Sequence, residues 1–140
     1  MRVLVTGHNG YIGSVMMPVL AAAGHDVYGV DTGYFADCTL GVGEPVVRGV
    51  RQDVRDITAA DLKGFDAVVH LAALSNDPIG NLNEDWTREI NLEGSVRLAE
   101  LAREAGVQKF LFSSSTRSMA TSTASAVDLA GRGPRCAMSC

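Results

Sequence analysis

Apolar positions fall in short clusters, and their spacing alternates between that of buried strands and that of helices. Val3 to Thr6 is nearly continuous apolar sequence, as in a strand covered on both faces. From Tyr11 to about Ala23, Ile12, Val15, Met16, Val19 and Leu20 recur at three and four residues, which predicts a helix with one apolar stripe. Pro18 removes the hydrogen bond to Ser14 and is expected to bend that helix, and Gly24 is its expected stop. Val27 to Val30 reads as a second strand, closed by Asp31. A long loop over residues 32–44 leads to a third strand, Val46 to Val50, and then to Asp53-Val54. Thr58, with Asp61 three residues on, predicts the cap of a short helix. Ala67 to Leu71 is a fourth strand, followed by a loop with Asn76-Asp77-Pro78 and Gly80. A long helix spans about Glu84 to Ala105. It is apolar at Ile90, Val96, Leu98 and Leu101, and charged at Arg88, Glu89, Glu93, Arg97, Glu100 and Arg103. Gly106 ends it, and Phe110-Leu111-Phe112 forms strand five, running into Ser113-Ser114-Ser115-Thr116.

Strands alternating with helices imply an α/β fold of right-handed βαβ units around a parallel sheet, and the strand order expected of such a doubly wound sheet is 3-2-1-4-5. The first thirty-one residues add chemistry to that frame. Gly7-His8-Asn9-Gly10-Tyr11-Ile12-Gly13 leaves a strand and opens a helix, and Asp31 ends the following strand. This is the setting of a dinucleotide-binding turn, and hence of a Rossmann-type doubly wound sheet. Gly7 permits the sharp exit from the strand, Gly10 lets backbone approach a pyrophosphate, and Gly13 lets the helix lie close against the sheet. The N–H groups and dipole at the helix start then face the phosphates. Asp31 is placed to accept hydrogen bonds from ribose hydroxyls. It would repel a 2′-phosphate, and residues 32–47 hold no Lys or Arg to receive one, so NAD is expected rather than NADP.

Composition changes the picture little. The chain has 140 residues, 46% hydrophobic, with net charge −4, which gives no reason to expect a nucleic-acid partner. Cys38, Cys136 and Cys140 have no zinc-ligand spacing and form no disulfide framework, which fits a reducing cytoplasm. A strand beginning at Arg2 leaves no room for a signal peptide, and the longest apolar runs are too short to span a bilayer. A cytoplasmic protein with no membrane partner is expected.

Residues 1–115 resemble the N-terminal part of an extended short-chain dehydrogenase/reductase, more narrowly the NAD-dependent epimerase/dehydratase group that acts on nucleotide sugars. Thr6-Gly7-His8-Asn9-Gly10-Tyr11-Ile12-Gly13 is similar to that family's TGxxGxxG, and Asp53-Val54 to its adenine-contacting pair. His70-Leu71-Ala72-Ala73 resembles its HxAA element beside the cofactor, and Asn91-Leu92-Glu93-Gly94 its NxxG. The resemblance implies cofactor contacts at Gly7, Asn9, Gly10, Tyr11, Ile12, Gly13, Asp31, Asp53, Val54, Leu71, Ala72 and Ala73. It also implies a catalytic hydroxyl at Ser115 that bonds the reacting sugar hydroxyl, and a homodimer through helix 84–105. In such relatives NAD takes a hydride from a sugar carbon and later returns it.

The resemblance also implies a Tyr-x-x-x-Lys after strand five, and here the pattern breaks. The tyrosines are Tyr11, Tyr28 and Tyr34 and the lysines Lys63 and Lys109, all before Ser115. A positioned acid/base contributes roughly 10²–10⁴ in rate, so this chain alone is expected to be inactive. Residues 116–140 are rich in Ala, Ser, Thr, Arg and Gly and lack an amphipathic period. They are expected to form a disordered, non-family tail, such as an out-of-frame segment, beside an incomplete NAD-binding domain at 1–115. The sheet would then be truncated after strand five, leaving that strand as an exposed edge. Two alternatives stand beside the enzyme reading: a non-catalytic NAD-binding module, and a residual fold that binds nothing.

Overall fold

A computed structural model of the chain describes residues 1–34, 36, 48–74 and 84–113, together with the backbone of 125–128. The strands are β1 (Arg2–Thr6), β2 (Asp26–Asp31), β3 (Gly49–Arg51), β4 (Ala67–His70), β5 (Lys109–Phe112) and β6 (Ser125–Asp128). They form one sheet in the order β3-β2-β1-β4-β5-β6. The first five are parallel, as the alternating pattern predicts. The crossover between β1 and β4 opens the carboxyl end of the sheet at the switch point, where such folds take ligands.

The apolar runs are continuous because both faces of the sheet are covered. Val3, Val5, Ala67 and Val69 pack with Met17 of α1 (Tyr11–Ala22). Leu4, Val68 and Phe110 point the other way, onto Leu98, Ala102, Ile57 and Leu62. The long helix begins as α2 (Glu84–Arg88), widens to a π-helical turn over Glu89–Glu93, and continues as α3 (Gly94–Glu104). At the π-turn the Gly94 N–H bonds the Glu89 carbonyl, five residues back.

Three expectations need correcting. The stripe expected on α1 is turned: Ile12, Val15 and Val19 are more than half exposed, while Gly13 and Met17 are buried and Met16 and Leu20 partly so. Gly13 fixes this rotation, because a Cβ there would lie 2.4 Å from the Gly7 carbonyl oxygen; the face carrying it must turn inward, and Met17 follows four residues on. The Thr58 region is not a helix. Its Asp61 carboxylate accepts from both the N–H and the hydroxyl of Thr58, and three-residue turns run on to Phe65. The short helix is instead a 3₁₀ turn at Val54–Asp56, capped by Asp53. Finally, β5 is no edge, because β6 pairs with it antiparallel, Phe110 opposite Val127. Backbone groups alone make that ladder, so a short run without periodicity can form it. The rest of 116–140, Ser114, Ser115, the 75–80 loop and positions 46–47 of the expected third strand lie outside the described residues.

Candidate functional site

The strand ends on either side of the switch point build one cleft of about 470 Å³. Gly7 leaves β1 with φ +73°, and a Cβ on it would stand 2.8 Å from the Ala72 nitrogen, so the β1 turn and the loop after β4 touch only through glycine. The Gly7 N–H bonds the Val30 carbonyl at 2.8 Å, tying the same turn to β2. Gly13 packs against the turn itself, at Gly7 and His8, rather than against the sheet. Among the described residues no side chain caps α1, and no acid occupies its first turn, which leaves its N-terminus suited to an anion.

Asp31 is fixed by the motif it answers. One carboxylate oxygen accepts from the Asn9 N–H at 3.0 Å and the other from the Gly33 N–H at 2.7 Å. Asp53 accepts from the Arg55 backbone at 2.9 Å and from its guanidinium at 3.1 and 2.9 Å. That guanidinium holds the Asp53 carboxyl below the usual carboxylate range. Arg55 also reaches Glu89 at 3.3 Å, and its carbonyl accepts from Arg97, so the 3₁₀ turn is pinned to the helix.

All twelve residues expected to contact a cofactor line this cleft: Gly7, Asn9, Gly10, Tyr11, Ile12, Gly13, Asp31, Asp53, Val54, Leu71, Ala72 and Ala73. The structure adds Val30, Thr32, Tyr34, Gln52, Leu74 and Ile90. Gln52 precedes Asp53 and Ile90 precedes Asn91, so adjacency to the motifs was the available signal. Ser115 lies outside the described residues. His8 is a further surprise. Its ring is buried over Gly29 and Gly49, where a Cβ would come within 2.3 and 3.1 Å of it, and its Nδ1 has no partner among the described residues.

Behind the cleft, His70 is 1% exposed and sits between the Thr6 hydroxyl at 2.6 Å and the Ser95 hydroxyl at 2.8 Å. Burial pushes its pKa from 6.5 down to about 4. The unfolded chain therefore takes up this proton near pH 6.5 and the folded one only near pH 4. The stability linked to His70 is full above pH 6.5 and is lost as the pH falls toward 4, by about 3 kcal/mol in all. Urea unfolding across that window should show the loss, and His70→Gln should remove this part of the slope; an unchanged slope in the variant contradicts the assignment.

A family model described as the NAD dependent epimerase/dehydratase family matches residues 3–131. The chain belongs to that family. Among curated members it is 36% identical over 126 residues to UDP-glucose 4-epimerase of Mycolicibacterium smegmatis, covering 82% of this chain and 39% of that protein. It is 31% identical over 120 residues to 3 beta-hydroxysteroid dehydrogenase/Delta 5→4-isomerase of Mycobacterium tuberculosis, covering 81% and 31%. Among solved structures, UDP-glucose 4-epimerase from Stenotrophomonas maltophila with bound NAD superposes with a TM-score of 0.70 at 32% identity, covering 83% of this chain and 37% of that one. The chain thus spans about two fifths of the length of the first of these epimerase/dehydratase relatives. Among the described residues no helix is long and apolar enough to cross a membrane.

Proposed function

We propose that the chain is the NAD-binding part of a nucleotide-sugar epimerase/dehydratase-like protein and that it does not turn over substrate by itself. The observation that carries this reading is the convergence of the glycine turn, Asp31, Asp53 and the Leu71–Leu74 loop on one cleft. The fit to a dinucleotide is physical: the approaches at Gly7 and Gly13 are ones a Cβ would fill, and Asp31 is an acceptor oriented by two N–H groups. In that reading the N-terminus of α1 faces the pyrophosphate, Asp31 the adenosine ribose, Asp53 and Val54 the adenine, and Leu71 to Ala73 the remaining length. NAD, when bound, supplies a hydride acceptor. The chain supplies the orientation, while Ser115 would bond the sugar hydroxyl.

The sequence after Ser115 holds neither the Tyr nor the Lys that would take that hydroxyl's proton. This favours the second reading, a non-catalytic NAD-binding module, for the chain as it stands. The boundary at Ser115 belongs to this proposal, resting on the change in composition there. So does the cytoplasmic location, which recovery of the protein from a membrane or exported fraction would contradict. Trp86, Leu92 and Val96 are about half exposed along the long helix and support self-association through it; a monomer in sedimentation equilibrium rules that out.

The test pairs calorimetric titration with an assay on UDP-glucose. Binding of NAD without epimerisation is expected. Epimerisation by the isolated chain sinks the inactive reading, and absence of NAD binding sinks the whole proposal.

A further inference from the structure

Proton counting around His70 fixes more than its burial. The Ser95 hydroxyl donates to the Asn91 carbonyl at 2.7 Å, and a serine has one proton to give. Toward His70 the Ser95 oxygen is therefore an acceptor, so the hydrogen in that 2.8 Å contact belongs to His70 Nε2. In a neutral ring Nδ1 is then bare and accepts from the Thr6 hydroxyl at 2.6 Å. The Thr6 oxygen in turn accepts the Ala72 N–H at 3.4 Å. The opposite assignment leaves the Thr6 proton without an acceptor among the described residues and sets the Ser95 and Asn91 oxygens together with no hydrogen between them. The rings of Phe110 and Phe112, 6.1 and 5.7 Å away, flank the imidazole.

This chain meets the cleft wall twice. Ala72 is held through Thr6. Leu74 is held through Asn91, whose side chain accepts from the Leu74 N–H at 2.8 Å and donates to its carbonyl at 2.9 Å. Asn91 lies at the middle of the π-helical turn. We infer that His70 is a positioning residue, locked in the Nε2–H tautomer, that joins both ties of the Leu71–Leu74 loop into one hydrogen-bond chain and so sets the wall of the cleft. Its effect on a ligand rests on the NAD reading; the tautomer does not.

The experiment is ¹⁵N-resolved NMR of the His70 ring in the full chain without NAD, followed by NAD titration of the same samples. The wild type should show a single Nε2–H tautomer. Thr6→Val removes the donor to Nδ1, so it should lose that single pattern and weaken NAD about tenfold, while Thr6→Ser restores both. An Nδ1–H ring or an averaged mixture in the wild type overturns the inference, with no need for any variant to fold. A Thr6→Val protein that keeps the wild-type ring pattern and affinity overturns it as well. A wild type with the expected ring that binds no NAD leaves the chain standing and removes the cofactor reading, so the two failures are distinct.

Discussion

Gly13→Ala is expected to abolish measurable NAD binding. A Cβ at this position would stand 2.4 Å from the Gly7 carbonyl oxygen and 2.6 Å from two His8 backbone atoms. These are backbone neighbours, which cannot rotate away as the end of a flexible side chain could. The turn must open or α1 must tilt, and either motion displaces the N–H groups that would face the pyrophosphate. Overpacking of this kind costs about 1–3 kcal/mol of stability. The affinity loss should be at least about a hundredfold, roughly 2.7 kcal/mol or more. Gly24→Ala is the matched control. Its φ is +82° but no atom of the described residues lies within 4 Å of the added Cβ, so it should cost about 1–2 kcal/mol of stability and leave NAD affinity unchanged. Titration and urea unfolding of both variants separate the two effects, and normal NAD binding by Gly13→Ala contradicts the packing described here.

Asp31→Asn is expected to weaken NAD by about 10- to 100-fold, the scale of losing charge-assisted hydrogen bonds of about 1.5–3 kcal/mol. The Asn9 and Gly33 N–H groups compete for the single remaining carbonyl oxygen, so the turn loosens along with the ribose contact. NADP should suffer less than NAD, because the repulsion toward a 2′-phosphate goes with the charge. Parallel titrations with both dinucleotides give the ratio of affinities. A ratio that does not move shows that Asp31 is not what selects between them.

Much of this site is legible in the sequence because its parts are local. The parallel sheet follows from alternation, its strand order from the dinucleotide-binding fold, and the glycine turn and Asp31 announce the β1–α1–β2 unit within thirty-one residues. The orientation of α1 was not legible. A period of apolar residues identifies a stripe, but the close approach of Gly13 to the turn decides which stripe faces inward, so Ile12, Val15 and Val19 point outward. The π-helical turn was hidden for a similar reason: its register serves contacts to Leu74, seventeen residues from Asn91. The Thr6–His70–Ser95 chain spans sixty-four and twenty-five residues and has no spacing to read. The β5–β6 ladder rests on backbone pairing, to which side-chain periodicity is blind.

The central claim is that NAD occupies the cleft at the switch between β1 and β4. Chemical-shift mapping of NAD onto the uniformly labelled chain tests it most directly. The predicted result is saturable shifts at Gly7–Gly13, Asp31, Asp53 and Leu71–Leu74, with residues on the far side of α3 unmoved. Saturating NAD that leaves those positions unmoved, or that shifts a different surface, would contradict it.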